Sequence, residues 1–314
     1  MIELVVFDTE RSEAKVTKII NSGALDSIDV ILGPVYLETS QVVAEYAESH
    51  SKVMINLLNR RDEVFKGKEF VYSALSSYKT IGRSMADAAF DAFGKEKVAR
   101  VYYQDDSKSH DSIIALAYKE RLEELEVKVE VFKGVGEGNT ERKNYEKSLR
   151  WSSDGNTGHV AVFASKNRLM ASTLISVWEN NNKRIPVIAS KEWLDIQLIS
   201  YEQFFRRKVH FVYPEYMSYD SDIVKAFKEK FKEETGVKPL KKIGAEVGYD
   251  IIHLIARNLE EYGTHFHKEF DILKPQEVFL SKGYSFKDSH SNNLVPLLKF
   301  DEDLNFIWVN SPYK

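Results

Sequence analysis

Residues 28–56, IDVILGPVYLETSQVVAEYAESHSKVMIN, constrain the fold more than any other part of this chain. Ile28, Val30, Ile31 and Leu32 form a short apolar run of the kind that a parallel strand covered on both faces needs. Gly33-Pro34 stops it at once, because proline has no N–H to give to a ladder. Thr39 and Ser40 can cap the turn that follows, and Val42, Val43, Tyr46 and Ala47 then recur at helical spacing. Val53, Met54 and Ile55 resume the sheet. The unit reads strand, tight turn, helix, strand. In an open parallel sheet such a turn lies at the carboxyl end of its strand, where ligands bind. A helix N-terminus there offers free N–H groups and the positive end of a dipole. The pattern therefore predicts a small-molecule pocket built on backbone groups.

The rest of the chain repeats that alternation. Strands are expected at 2–7, 70–73, 98–103, 127–132, 159–163, 185–188 and 209–212. Helices are expected at 10–21, 78–93, 109–125, 141–150, 166–180, 198–205, 221–234 and 245–262, with a loop at 134–139. The tail changes character: 284–287, 295–300 and 306–309 read as short antiparallel strands joined by Asn/Asp turns. Repeated βα units with a β-rich tail argue an α/β class with mostly parallel sheets. At 314 residues the chain exceeds one ordinary core, so two domains are expected. A net charge of -4 gives no general attraction to nucleic acid or to an anionic membrane surface. No segment approaches the ~20 apolar residues of a membrane span. The absence of cysteine excludes disulfides, thiolate catalysis and Cys-ligated metal, and leaves the compartment open.

The order and spacing of several pieces resemble the type I periplasmic binding proteins, specifically the Leu/Ile/Val-binding family. These pieces are ELVVFDTE, IDVILGP with its helix, SKVMIN, FVYSALSSYKTIGRSMADAA, KVARVYYQDD, HVAVFASKNRLMA, RIPVIAS and DIVKAFKEKFKEETGVKP…EVGYDIIHLIARNLEEYG. SKEWLD, VHFVYPEYMSYDSDIVKAFKEKF and YGTHFHKEF are most similar to a Bacteroidetes branch, some members of which carry peptidoglycan-binding LysM modules. The resemblance implies two doubly wound, Rossmann-like α/β lobes joined by three crossovers, near Lys97, Tyr213-Pro214 and Gly283. Lobe 1 would be 1–96 plus 215–282, and lobe 2 would be 97–214 plus 283–314. It also implies a non-enzymatic, periplasmic or cell-envelope protein that holds a small polar ligand in an interlobe cleft, with an ABC transporter permease as partner. Family members begin with a strand and helix ahead of the segment that opens here. An N-terminal strand is therefore expected to be missing, and a signal peptide is expected upstream. The open edge would be covered by another segment or a second copy.

The ligand-binding residues expected at strand ends are Tyr36, Asn59, Arg60, Asp106, Ser165, Glu192 and Trp193. Arg60 would take an anionic group, and Glu192 a cationic one. Several positions depart from the family pattern. Tyr36-Leu37 replace small or hydroxyl residues after the Gly-Pro, Asn59-Arg60 replace a hydroxyl pair, and Lys108-Ser109 replace a Tyr-Gly. Tight binding of leucine, isoleucine or valine is accordingly not expected. Arg60-Arg61 has an equal alternative as a basic loop paired with Asp62 and Glu63. Trp193 and Tyr213 have one as core residues. No enzyme constellation, P-loop or G-x-S-x-G elbow is present, and no cofactor or metal is expected. The Gly134-x-Gly136-x-Gly138 run lacks dinucleotide spacing, His265 and His267 read as a cationic helix end, and Asp288, Asp301 and Asp303 as solvated turns. The second reading, from another class, is a cell-envelope interaction module with a degenerate cleft that binds a protein or peptidoglycan partner.

Overall fold

The computed structural model describes residues 2–94, 98–104, 109–133, 138–150, 157–181, 185–239, 244–270, 272–277 and 280–313. The chain divides into two compact units, crossing three times: unit 1 is Met1–Ser77 with Glu215–Leu294, and unit 2 is Tyr78–Pro214 with Val295–Lys314.

Unit 1 starts with α1 (Glu13–Asn21), whose first turn is held by the Ser12 side chain accepting from the Lys15 N–H. β1 (Val30–Leu32), α2 (Leu37–Ser49), β2 (Val53–Asn56) and β3 (Val71–Ser73) follow. The strands form a three-stranded parallel sheet in the order β1-β2-β3. Alternation along β2 sorts its side chains between two cores. Val53 and Ile55 pack with Tyr72, Phe266, Phe270 and Phe286, and Met54 packs with Val16, Val43 and Val71.

Unit 2 takes α3 (Tyr78–Phe93), β4 (Val98–Tyr103), α4 (Asp111–Glu124), β5 (Val129–Lys133), α5 (Asn139–Leu149), β6 (Thr157–Phe163), α6 (Arg168–Asn180), β7 (Val187–Ser190), α7 (Tyr201–Arg206) and β8 (Val209–Val212). The chain then returns to unit 1 for α8 (Asp222–Thr235) and α9 (Ala245–Tyr262), and ends in unit 2 with β9 (Leu297–Phe300) and β10 (Phe306–Trp308). The seven-stranded sheet of unit 2 has the order β10-β9-β8-β7-β6-β4-β5. Its five inner-chain strands are parallel, and β9 runs antiparallel to both β8 and β10. Val160 and Val162 face one core with Trp178 and Phe204, while Ala161 and Phe163 face the other with Tyr118 and Met85. Both faces are covered, as a parallel sheet requires.

Four expectations need correction. Residues 2–7 form no strand; Ile2, Leu4 and Val6 are exposed, because no neighbouring strand pairs with them among the described residues. Residues 284–287 make only an isolated bridge, Gln276 to Tyr284, because Tyr284 and Phe286 are drawn into the aromatic core of unit 1. That packing also carries 283–294 into unit 1, beyond the crossover expected at Gly283. The first division falls at Ser77, ahead of Lys97, because α3 packs on α4. A Cβ at Gly82 would collide with the Ile114 carbonyl oxygen, so glycine sets the approach of those two helices. Lys97 itself and most of the 134–139 loop lie outside the described residues.

Candidate functional site

The carboxyl ends of the unit 1 strands are organised by one buried amide. Asn56 ends β2 with no exposed surface. Its Nδ2 donates to the Pro34 carbonyl at 2.8 Å and to Ser40 Oγ at 2.8 Å. Its Oδ1 accepts from the Asn59 N–H at 2.8 Å and the Leu58 N–H at 3.2 Å. Ser40 Oγ in turn donates to the Pro34 carbonyl at 2.7 Å, and Thr39 Oγ1 to the Tyr36 carbonyl at 3.0 Å. The Gly33-Pro34 peptide is cis, and Gly33 has φ +86°, where glycine is favoured. The turn after β1 and the loop after β2 are thus one hydrogen-bonded body.

That body presents Tyr36, Asn59 and Arg60. Tyr36 occupies the N-cap of α2 without a side-chain cap, and its half-exposed ring lies under the Arg11 guanidinium, 4.1 Å from the centroid. Asn59 Oδ1 accepts from the Arg61 N–H, and its carbonyl accepts from Ser73 Oγ. Arg60 Nη1 donates to the Ser76 carbonyl at 2.6 Å, and Nη2 forms an ion pair with Glu215. The expected anion ligand is therefore already engaged by a carboxylate of its own chain.

In unit 2 the organiser is Asp111, buried in the first turn of α4. Its Oδ2 accepts from both the backbone N–H and the Oγ of Ser165, each at 3.0 Å, fixing the turn after β6. Glu192 lies in the short helical turn Lys191–Asp195 after β7. Burial pushes its carboxyl above the usual value; Lys191 opposes this, while Asp111 and Asp195 reinforce it. The Lys191 ammonium sits 5.0 Å from the centre of the Tyr213 ring.

Trp193 does not face a ligand surface. It is 1% exposed and packs among Trp178, Phe204 and Ile196 in the core of unit 2, the alternative that the sequence left open. Asp106 and Lys108 lie outside the described residues. His267 is buried, and burial pushes its imidazole below the usual value, so it supplies no helix-end charge. Asp301 holds a turn by accepting from the Asp303 and Asn305 N–H groups. Sequence reasoning missed Asn56, Asp111 and Glu215. A polar residue closing an apolar strand and an acid in a first helical turn could have signalled the first two; nothing local marks Glu215 as the partner of Arg60.

No protein-family model and no curated protein matches the chain. Solved structures do. An ABC transporter substrate-binding protein from Desulfitobacterium hafniense, in complex with Leu, matches at TM-score 0.56 and 20% identity, covering 98% of this chain and 88% of that one. A putative branched-chain amino acid ABC transporter protein from Rhodospirillum rubrum matches at TM-score 0.67 and 13% identity, covering 98% and 87%. A fatty acid ABC transporter substrate-binding protein from Thermomonospora curvata matches at TM-score 0.50 and 13% identity, covering 98% and 80%. The strand order, the three crossings and this shared architecture together give the chain the fold of the type I periplasmic binding proteins, the fold of the Leu/Ile/Val-binding kind.

Proposed function

We propose that this chain is a non-enzymatic solute-binding or sensory protein that takes a small polar ligand at its strand-end faces and works with an ABC transporter in the periplasm or cell envelope. The observation that carries this reading is the match along 98% of the chain to proteins whose names record substrate binding for ABC transporters. Among the described residues no helix is long and apolar enough to cross a membrane, which fits a partner carrying the spans. The relatives in fold bear names that specify leucine in one case and a fatty acid in another, so the ligand is set by side chains rather than by architecture. Here those side chains are Tyr36 and Asn59 in unit 1, and Ser165 and Glu192 in unit 2. Arg60 contributes through its pair with Glu215, and Trp193 as packing next to Glu192. No observation favours the envelope-interaction reading.

The test is calorimetry of refolded, ligand-free protein against a panel of amino acids, amines, sugars and fatty acids. Micromolar binding of one compound, weakened by Glu192→Gln or by Asn59→Ala, supports the proposal. A folded protein that binds none of the panel overturns it.

A further inference from the structure

Arg60 is a cation held in place before any ligand arrives. The residue before it is pinned from two strands: the Asn59 N–H donates to Asn56 Oδ1 at 2.8 Å, and the Asn59 carbonyl accepts from Ser73 Oγ at 2.8 Å. The Arg60 side chain is only 13% exposed, and its Nη1 is spent on the Ser76 carbonyl. A fixed, mostly buried guanidinium beside the carboxyl end of a parallel sheet has the geometry to grip a carboxylate. In this chain the carboxylate is internal. Glu215, the first residue after the second crossing, forms the ion pair with Nη2 and keeps 32% of its side chain exposed.

We propose that Glu215 is a built-in occupant of Arg60 that bars an external carboxylate from this position and so sets the ligand class of the unit 1 face. Tethering gives the Glu215 carboxylate an effective concentration in the millimolar range or above, which a freely diffusing carboxylate of ordinary affinity does not overcome. Glu215 neutralises the Arg60 guanidinium, and Asn56 spends its amide donors on the Pro34 carbonyl and Ser40. The face then selects against ligands that depend on a carboxylate for their grip, and suits amines or neutral polar compounds. This meaning rests on the solute-binding reading; the Arg60–Glu215 exclusion itself does not.

The experiment follows the Arg60 Nε–H resonance in ¹⁵N-labelled full-length protein, assigned by its loss in Arg60→Lys. Sodium acetate is titrated at constant ionic strength. In the wild type the resonance is expected to show no saturable shift up to tens of millimolar acetate. In Glu215→Gln it should shift saturably, with affinity higher by about tenfold or more. Glu215→Ala serves as the second variant should the amide disturb folding, and the backbone spectrum reports the fold of each. An equal response in the wild type overturns the proposal, and so does an unresponsive Arg60 in a folded variant. Failure of the solute-binding reading is a separate result: no compound of the calorimetric panel binds, whatever Arg60 does with acetate.

Discussion

Two histidines buried in the sheet of unit 2 make its stability depend on pH, with a sign set by their burial. His159 on β6 is 2% exposed and His210 on β8 is 6% exposed. The His159 imidazole hydrogen-bonds the buried Tyr118 hydroxyl, and the Phe93 ring lies against both histidines. Burial, followed by repulsion from His210, pushes the His159 pKa down to about 3. Burial likewise pushes His210 down to about 4, although the Lys208 and Val187 carbonyls pull the other way. In the unfolded chain both titrate near ~6.5. The folded values are lower, so the unfolded state binds more protons below that point. The stabilisation is complete above pH ~6.5 and falls as pH drops toward the folded values. With ~1.4 kcal/mol per pKa unit, each histidine removes about 2 kcal/mol by about pH 5, and the pair about 4 kcal/mol. That is a large share of the roughly 5–15 kcal/mol by which a domain is stable.

Tryptophan fluorescence reads this unit alone, because the tryptophans at 151, 178, 193 and 308 all fall in its segments and none falls in 1–77 or 215–294. Urea unfolding followed by that signal should show a midpoint lower by about 2 M at about pH 5 than at about pH 7.5, for a slope near 2 kcal/mol per M. His159→Asn combined with His210→Asn should flatten the dependence, whatever it does to absolute stability. An unchanged midpoint in the wild type, or imidazole resonances titrating near ~6.5 in the folded protein, would refute the reasoning.

Gly82→Ala should destabilise unit 2 by about 1–3 kcal/mol, seen as a lower fluorescence midpoint, because the new methyl meets the Ile114 carbonyl, the Ala117 methyl and the Tyr118 nitrogen across the α3–α4 contact. Asn56→Ala should cost unit 1 about 2–4 kcal/mol, since it leaves the Asn59 and Leu58 N–H groups without their acceptor. Far-UV circular dichroism should show that loss while the tryptophan transition stays in place. Leucine, isoleucine and valine should bind no tighter than about millimolar, because losing two charge-assisted contacts at ~1.5–3 kcal/mol each removes micromolar affinity. Calorimetry returning micromolar binding of any of the three, abolished by Glu192→Ala, would contradict this.

The elements that were legible in the sequence are those whose side chains answer to periodicity alone. α3 and α9 run over the residues that the 3.6-residue repeat marked, and β8 over the apolar run between Lys208 and Tyr213. Residues 2–7 have the same strand composition and form none, because a strand also needs a neighbour for its N–H and C=O groups, and composition does not report one. Tyr284 and Phe286 alternate as a strand should, yet Tyr284 makes only an isolated bridge with Gln276, while the Phe286 ring stacks on Phe270 with centroids 4.6 Å apart. Trp193 illustrates the limit at the site. Its neighbour Glu192 is only half-buried, while the indole on the next residue turns into the core with Phe204, and one step along a short helical turn decides between the two.

The site residues diverge for a further physical reason. A polar side chain at a strand end has two classes of partner, a ligand or the protein's own backbone, and the sequence names the side chain without naming the partner. In unit 1 the backbone and a distant acid took most of the donors: Asn56 closes on Pro34, Ser73 on Asn59, and Arg60 on Ser76 and Glu215. In unit 2 Ser165 donates to Asp111, and Glu192 carries a strand-end carboxyl whose burial is only partly offset by a neighbouring lysine. A carboxyl raised by burial gains most from a ligand that brings its own positive charge. On the unit 2 face, Glu192 is thus the feature for a cationic ligand to meet under the solute-binding proposal, a local property that the net charge of -4, spread over the whole chain, does not reveal.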